Sequence, residues 1–207
     1  MSITYPLTMP TSPRPNSVVP AMAYTVSANV SPFTKKQQRY LYDGQLWSFD
    51  VSLPKMTRAE AMEWVAFGHQ LRGSYGYFLM GDPSGWEPRG IATGAPKVKG
   101  AGQTGYELDT DGWTINKTGI MLKGDWFQLG TGANARLHQC VKDFDTNGAG
   151  ETTLEFVPML RTSPADNTDL IISEPMGLFS MDDSTVSWSV ALGMEFGFNF
   201  TCTEYLA

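Results

Sequence analysis

The residues Leu122-Lys123-Gly124-Asp125-Trp126-Phe127-Gln128-Leu129, Arg136-Leu137-His138-Gln139-Cys140-Val141 and Glu151-Thr152-Thr153-Leu154-Glu155-Phe156-Val157 alternate polar and apolar side chains, with Gly, Asn and Asp between the pieces. A period of two with no competing helical period makes each piece a short strand with one apolar face. Strands this short bury that face only by pairing with one another, so the stretch is expected to close into a small antiparallel barrel or sandwich. Glycines 85, 90, 94, 100, 102, 105, 112 and 119 cut the preceding chain into equally short lengths, which extends the unit over residues 82–164.

The pattern changes on either side. Residues 1–20 hold Pro6, Pro10, Pro13, Pro15 and Pro20. Proline has no amide to donate, so this arm is expected to be an extended lead-in without ladder bonds, frayed or laid against a neighbouring subunit. Strands are expected over 24–30, 39–42 and 45–53, with a hairpin turn at Asp43-Gly44, a pair suited to two successive positive φ angles. Thr57-Arg58-Ala59-Glu60 forms a capping box. Ala61, Trp64, Val65, Gly68 and Leu71 then recur at spacings of three and four, and Gly73 supplies a stop, so one amphipathic helix is expected over 57–72. Strand character returns over 75–80, and beyond a linker at 163–167 it returns again over 169–173, 177–181 and 185–203. The expected fold is mainly β: a β-sandwich with one helix, split into 1–81 and 165–207 if its tail strands pair with the first ones, and interrupted by the inserted barrel.

Charge narrows the function. The chain of 207 residues carries a net charge of −6 and only 17% charged residues, below the roughly 25% usual for globular domains. The acidic balance argues against nucleic-acid binding, where Lys and Arg neutralise phosphates; Lys35-Lys36-Gln37-Gln38-Arg39 is too short a cluster to reverse this. Scarce charge, 42% hydrophobic residues and six Trp fit a surface partly covered by other subunits. Cys140 and Cys202 make no disulfide framework, no run of 18 apolar residues exists and residues 1–16 lack a signal-peptide pattern, so a protein made in a reducing cytoplasm, without membrane insertion, is expected.

Candidate chemistry is sparse. Asp143-Phe144-Asp145-Thr146-Asn147-Gly148 matches the first half of a calcium loop, but position twelve falls on Leu154, so a polar turn around Asn147-Gly148 is favoured. His138 and Cys140 share a strand face, yet only His69 and Cys202 remain to complete a zinc site. Gly100-Ala101-Gly102-Gln103-Thr104-Gly105 has dinucleotide-loop spacing but runs into a strand where that motif needs a helix. Asp109, Asp111, Asp125, Asp143, Asp145, Glu151 and Glu155 are spaced as exposed turns and strand faces space them, not as a glycosidase pair. The expectation is no enzyme, no cofactor and no metal. Trp86, Trp113 and Trp126 are the one candidate binding set, as a stacking platform for sugars.

Leu46-Trp47-Ser48-Phe49-Asp50-Val51-Ser52-Leu53-Pro54, Thr57-Arg58-Ala59-Glu60-Ala61, Leu71-Arg72-Gly73 and Tyr77-Phe78-Leu79-Met80 together resemble the first domain of siphophage distal tail proteins. Gly100-Ala101-Gly102-Gln103-Thr104-Gly105, Leu122-Lys123-Gly124-Asp125-Trp126-Phe127 and Phe156-Val157-Pro158-Met159-Leu160-Arg161 resemble tail-tip proteins of phages infecting Gram-negative bacteria. The resemblance implies a β-sandwich interrupted by a barrel similar to the oligonucleotide/oligosaccharide-binding (OB) fold. Six copies would form a ring at the virion tail tip, with the tail tube protein and the tail-tip hub protein as neighbours. The alternative is a carbohydrate-binding tail module that touches the host surface through its barrel.

Overall fold

The computed structural model describes residues 3–206. These form, in chain order, β1 (Leu7–Thr8), β2 (Ser17–Val30), β3 (Gln37–Ser52), helix α1 (Arg58–Leu71), β4 (Phe78–Met80), β5 (Gly94–Val98), β6 (Gly105–Trp113), β7 (Trp126–Leu129), β8 (Arg136–Cys140), β9 (Thr152–Leu160), β10 (Leu170–Ile171), β11 (Gly177–Met181), β12 (Ser189–Ala191), β13 (Glu195–Gly197) and β14 (Asn199–Glu204). Among the described residues the protein is mainly β with a single α-helix.

Two six-stranded sheets take twelve of these strands, and β12 and β13 pair with each other in a two-stranded sheet. The first has the order β1-β4-β11-β14-β3-β2, and the second β10-β7-β8-β9-β6-β5. Strands from both ends of the chain share the first sheet: β14 pairs with β3 from Asn199↔Ser52 to Thr203↔Ser48, and β11 pairs with β4. The chain therefore leaves this sheet after β4, builds the second sheet, and returns at β11. The second sheet is nearly closed. Its outer strands meet where Val98 N–H donates to Thr168 O and Asn167 N–H donates to Val98 O, both 2.9 Å, so few ladder groups stay open.

Alternation explains the packing. Trp47, Phe49 and Val51 on β3, Cys202 on β14, Phe179 on β11 and Phe78 on β4 point to one face of the first sheet and are buried. Helix α1 covers one part of that face, where Trp64 lies against Phe67, Phe198 and Phe200. Gly68 lets the helix approach Val186, because a Cβ there would meet its side chain at 2.9 Å. The barrel covers the other part through Trp126 and Leu137, which belong to the same apolar cluster as Trp47. Inside the barrel a separate core gathers Leu108, Trp113, Ile120, Phe127, Leu154 and Phe156.

The capping box forms as the sequence implies. Thr57 N–H donates to Glu60 Oε2 (2.9 Å) and Glu60 N–H donates to Thr57 Oγ1 (3.5 Å). The helix ends at Arg72, whose φ of 57° is the left-handed cap, with Gly73 following at 67°. Thr57→Ala is expected to cost about 1 kcal/mol, read as a loss of roughly 2–4 °C in melting temperature.

Four expectations need correction. Asp43-Gly44 is not a hairpin turn: β3 runs through it, and the pair sits opposite a bulge between Tyr24 and Val26, where Thr25 Oγ1 donates to Gly44 O (2.9 Å). The chain reverses instead at residues 31–36, where Lys35 takes the positive φ of 58° and Ser31 N–H donates to Lys36 O (2.9 Å). Second, residues 17–20 are not free of ladder bonds, since Ser17 to Pro20 pair with Ser52 to Phe49. Proline is tolerated there because β2 is the outer strand of its sheet. Third, the inserted unit does not stop at 164: β10 pairs with β7, so the expected linker at 163–167 is a barrel connection. Finally, the run 185–203 divides into the hairpin β12–β13 and most of β14.

Candidate functional site

The outer half of β2 and β3 leaves the body of the protein. Up to Gln45 these strands lie on the core, but residues 23–44 are exposed along both strands, except Ser31 at the tip. The result is a two-stranded ribbon. Val26 pairs with Leu41, Ala28 with Arg39 and Val30 with Gln37, so these six residues share one face. Tyr40 and Tyr42 meet edge to face at 4.7 Å. Phe33, at the tip, is 94% exposed. A two-stranded ribbon gains little stability from its own pairing, and this one holds Tyr, Val, Leu and Phe side chains out to solvent together.

Two further surfaces face solvent, one polar and one apolar. The outward side chains of the first sheet include Ser48, Asp50, Ser52, Ser180, Thr201 and Thr203, so this outer face is polar with Asp50 as its acid. At the tip of the β12–β13 hairpin Val190, Leu192 and Met194 are exposed, Leu192 fully.

Where the barrel seats on the first sheet the contacts are specific. Trp47 and Trp126 lie 4.6 Å apart, and Trp47 Nε1–H donates to Leu137 O (3.2 Å). Gln45 uses both ends of its amide: Nε2 donates to Tyr106 Oη (2.7 Å), and Oε1 accepts Met159 N–H (3.3 Å). Glu204 accepts Trp47 N–H (3.3 Å) and lies 3.8 Å from Arg161; burial raises its carboxyl above the ordinary carboxylate range. His138 is buried, stacked on Phe127, and its Nδ1 lies 2.9 Å from Pro158 O. Burial holds the imidazole neutral and pushes its pKa down to about 4, so Nδ1 carries the proton donated to that carbonyl.

This buried ring makes the fold acid-sensitive. An unfolded chain protonates His138 near its ordinary 6.5, whereas the folded chain refuses the proton until about 4. The unfolded state therefore binds more protons in that window, and stability falls as pH drops through it, by up to ~3 kcal/mol. Glu204 acts in the opposite sense, because its raised carboxyl takes up a proton in the folded state first. His138→Asn keeps an N–H donor and removes the titration. Thermal melts at pH 7 and pH 5 are expected to show a smaller drop for the variant than for the native chain.

The residues singled out from sequence do not assemble. Trp113 is buried in the barrel core and donates from Nε1 to Thr110 Oγ1 (2.8 Å). Trp126 is buried at the junction with the first sheet, and only Trp86 is partly exposed, under the Arg14 guanidinium at 5.3 Å. The three rings present no common stacking face. Three of the candidate carboxylates serve the backbone. Asp125 is buried and accepts the amides of Arg89 (3.0 Å), Gly90 (3.0 Å) and Leu122 (2.8 Å). Asp143 accepts Lys123 N–H and Asp145 accepts Gly119 N–H, which turns both away from a shared cation. Glu151 pairs with Lys99 and Glu155 with Lys142. Among the described residues no group of three or more His, Cys, Asp or Glu is placed to hold a metal, and no helix is long and apolar enough to cross a membrane. Sequence reasoning missed the ribbon. The chain matches no protein-family model and no curated protein.

Proposed function

We propose that this protein is a structural subunit of a phage tail tip, of the distal-tail type, which assembles with copies of itself into a ring between the tail tube protein and the tail-tip hub protein. The observation that carries the reading is the exposed ribbon at residues 23–44, which presents Val26, Val30, Phe33, Tyr40 and Leu41 to solvent. It is supported by the polar outer face of the first sheet and by carboxylates that bind backbone amides. The number of copies, six, and the location at the virion tail tip are what the resemblance implies. Synthesis in the host bacterial cytoplasm fits two free, buried thiols.

Antibody against the purified protein, carried on gold, should label one end of the tail in electron micrographs of the virions encoded with this chain. Label on the capsid, along the whole tail, or on no virion at all would overturn the reading.

A further inference from the structure

The ribbon tip has a counterpart on the opposite part of the same sheet. Residues 31–39 contain Lys35, Lys36 and Arg39, no acid, and the exposed Phe33. A cleft of about 490 Å³ is lined by Val186, Phe198 and Phe200 with Asp182 and Asp183 at its rim, and no Lys or Arg lines it. The tip is basic and carries an exposed Phe; the cleft is acidic, with Val186 and Phe200 partly exposed in its lining.

The two cannot meet within one chain. The ribbon leaves the body beyond Gln45 and reaches roughly 25 Å further, at about 3.3 Å per residue. Running the other way along β3, Gln45 to Ser52 adds roughly 20 Å before Asn199 of the cleft, which pairs with Ser52, is reached. Tip and cleft therefore face away from each other along the strand direction. A contact between them joins different surfaces of two copies, the head-to-tail kind of interface from which a ring is built when the rotation between copies closes.

Resting on the ring reading above, we infer that the basic ribbon tip of one copy docks into the Asp182–Asp183 cleft of the next copy, with Phe33 seated on the exposed parts of Val186 and Phe200. Like charges brought together at such a contact cost several kcal/mol, and opposite charges restore it. The assembly of three chains is compared by light scattering at low ionic strength: one with Lys35→Glu, Lys36→Glu and Arg39→Glu, one with Asp182→Lys and Asp183→Lys, and one with all five. Each partial reversal is expected to raise the concentration needed for assembly about 100-fold, and the complete reversal to bring it back to within about 10-fold of the native chain. Because Asp183 also accepts Thr185 N–H (2.7 Å), Asp182→Lys alone is included, and it should weaken assembly in the same direction. Partial reversals that assemble as the native chain does, or a complete reversal that stays as weak as either, overturn the docking while leaving the ring. A native chain that never assembles overturns the ring itself.

Discussion

Replacing residues 27–40 by Asn-Gly is expected to leave a folded protein that no longer assembles. Val26 and Leu41 already face each other, so a two-residue turn between them closes the shortened ribbon without moving Gln45, Trp47 or the core below. The excised residues touch neither apolar core: neither cluster includes them. The melting temperature should therefore stay within a few degrees, while the mass in solution falls from that of the assembly to that of one chain. The asymmetry is the point. A ribbon kept for stability would lower the melting temperature when removed, and one kept for partners would lower only the assembly.

Trp47→Ala is expected to be the most damaging single substitution for stability. The ring is 4% exposed, packs at a tilt against Trp126 and donates to Leu137 O, so it belongs at once to the sheet and to the barrel resting on it. Truncation of a buried Trp costs about 3–5 kcal/mol, a large share of the ~5–15 kcal/mol that a domain has. It also leaves the Leu137 carbonyl unpaired. Hydrogen exchange should show lost protection at Leu137, Gln139 and the first sheet together. Trp113→Ala should loosen the barrel instead, since its ring lies in the separate barrel core.

The parts legible in the sequence are those fixed by local chemistry. Thr57 and Glu60 name the helix start because the capping bonds lie within one turn, and Trp64, Val65 and Leu71 name its buried face by spacing alone. The barrel strand at 152–160 is legible for the same reason, as buried and more exposed residues alternate along it, whereas 126–129 is buried on both faces, between the two cores. The hairpin was misread because Asp43-Gly44 carries the turn signature, whereas the true reversal at 31–36 contains no glycine and gives its positive φ to Lys35. Nothing in the order of residues distinguishes a strand lying on a core from one projecting past it. Residues 39–42 read as a strand like any other and are exposed, while Trp113 and Trp126 read as a candidate sugar platform and are buried. Both errors have one origin: burial depends on what the chain folds back upon, which short-range pattern does not contain.

Sedimentation equilibrium of the native chain across a wide concentration range tests the account most directly. A single species of six copies, dissociating only on extreme dilution or at high salt, is the expected result. One chain at every concentration, with the ribbon still facing water, would contradict it.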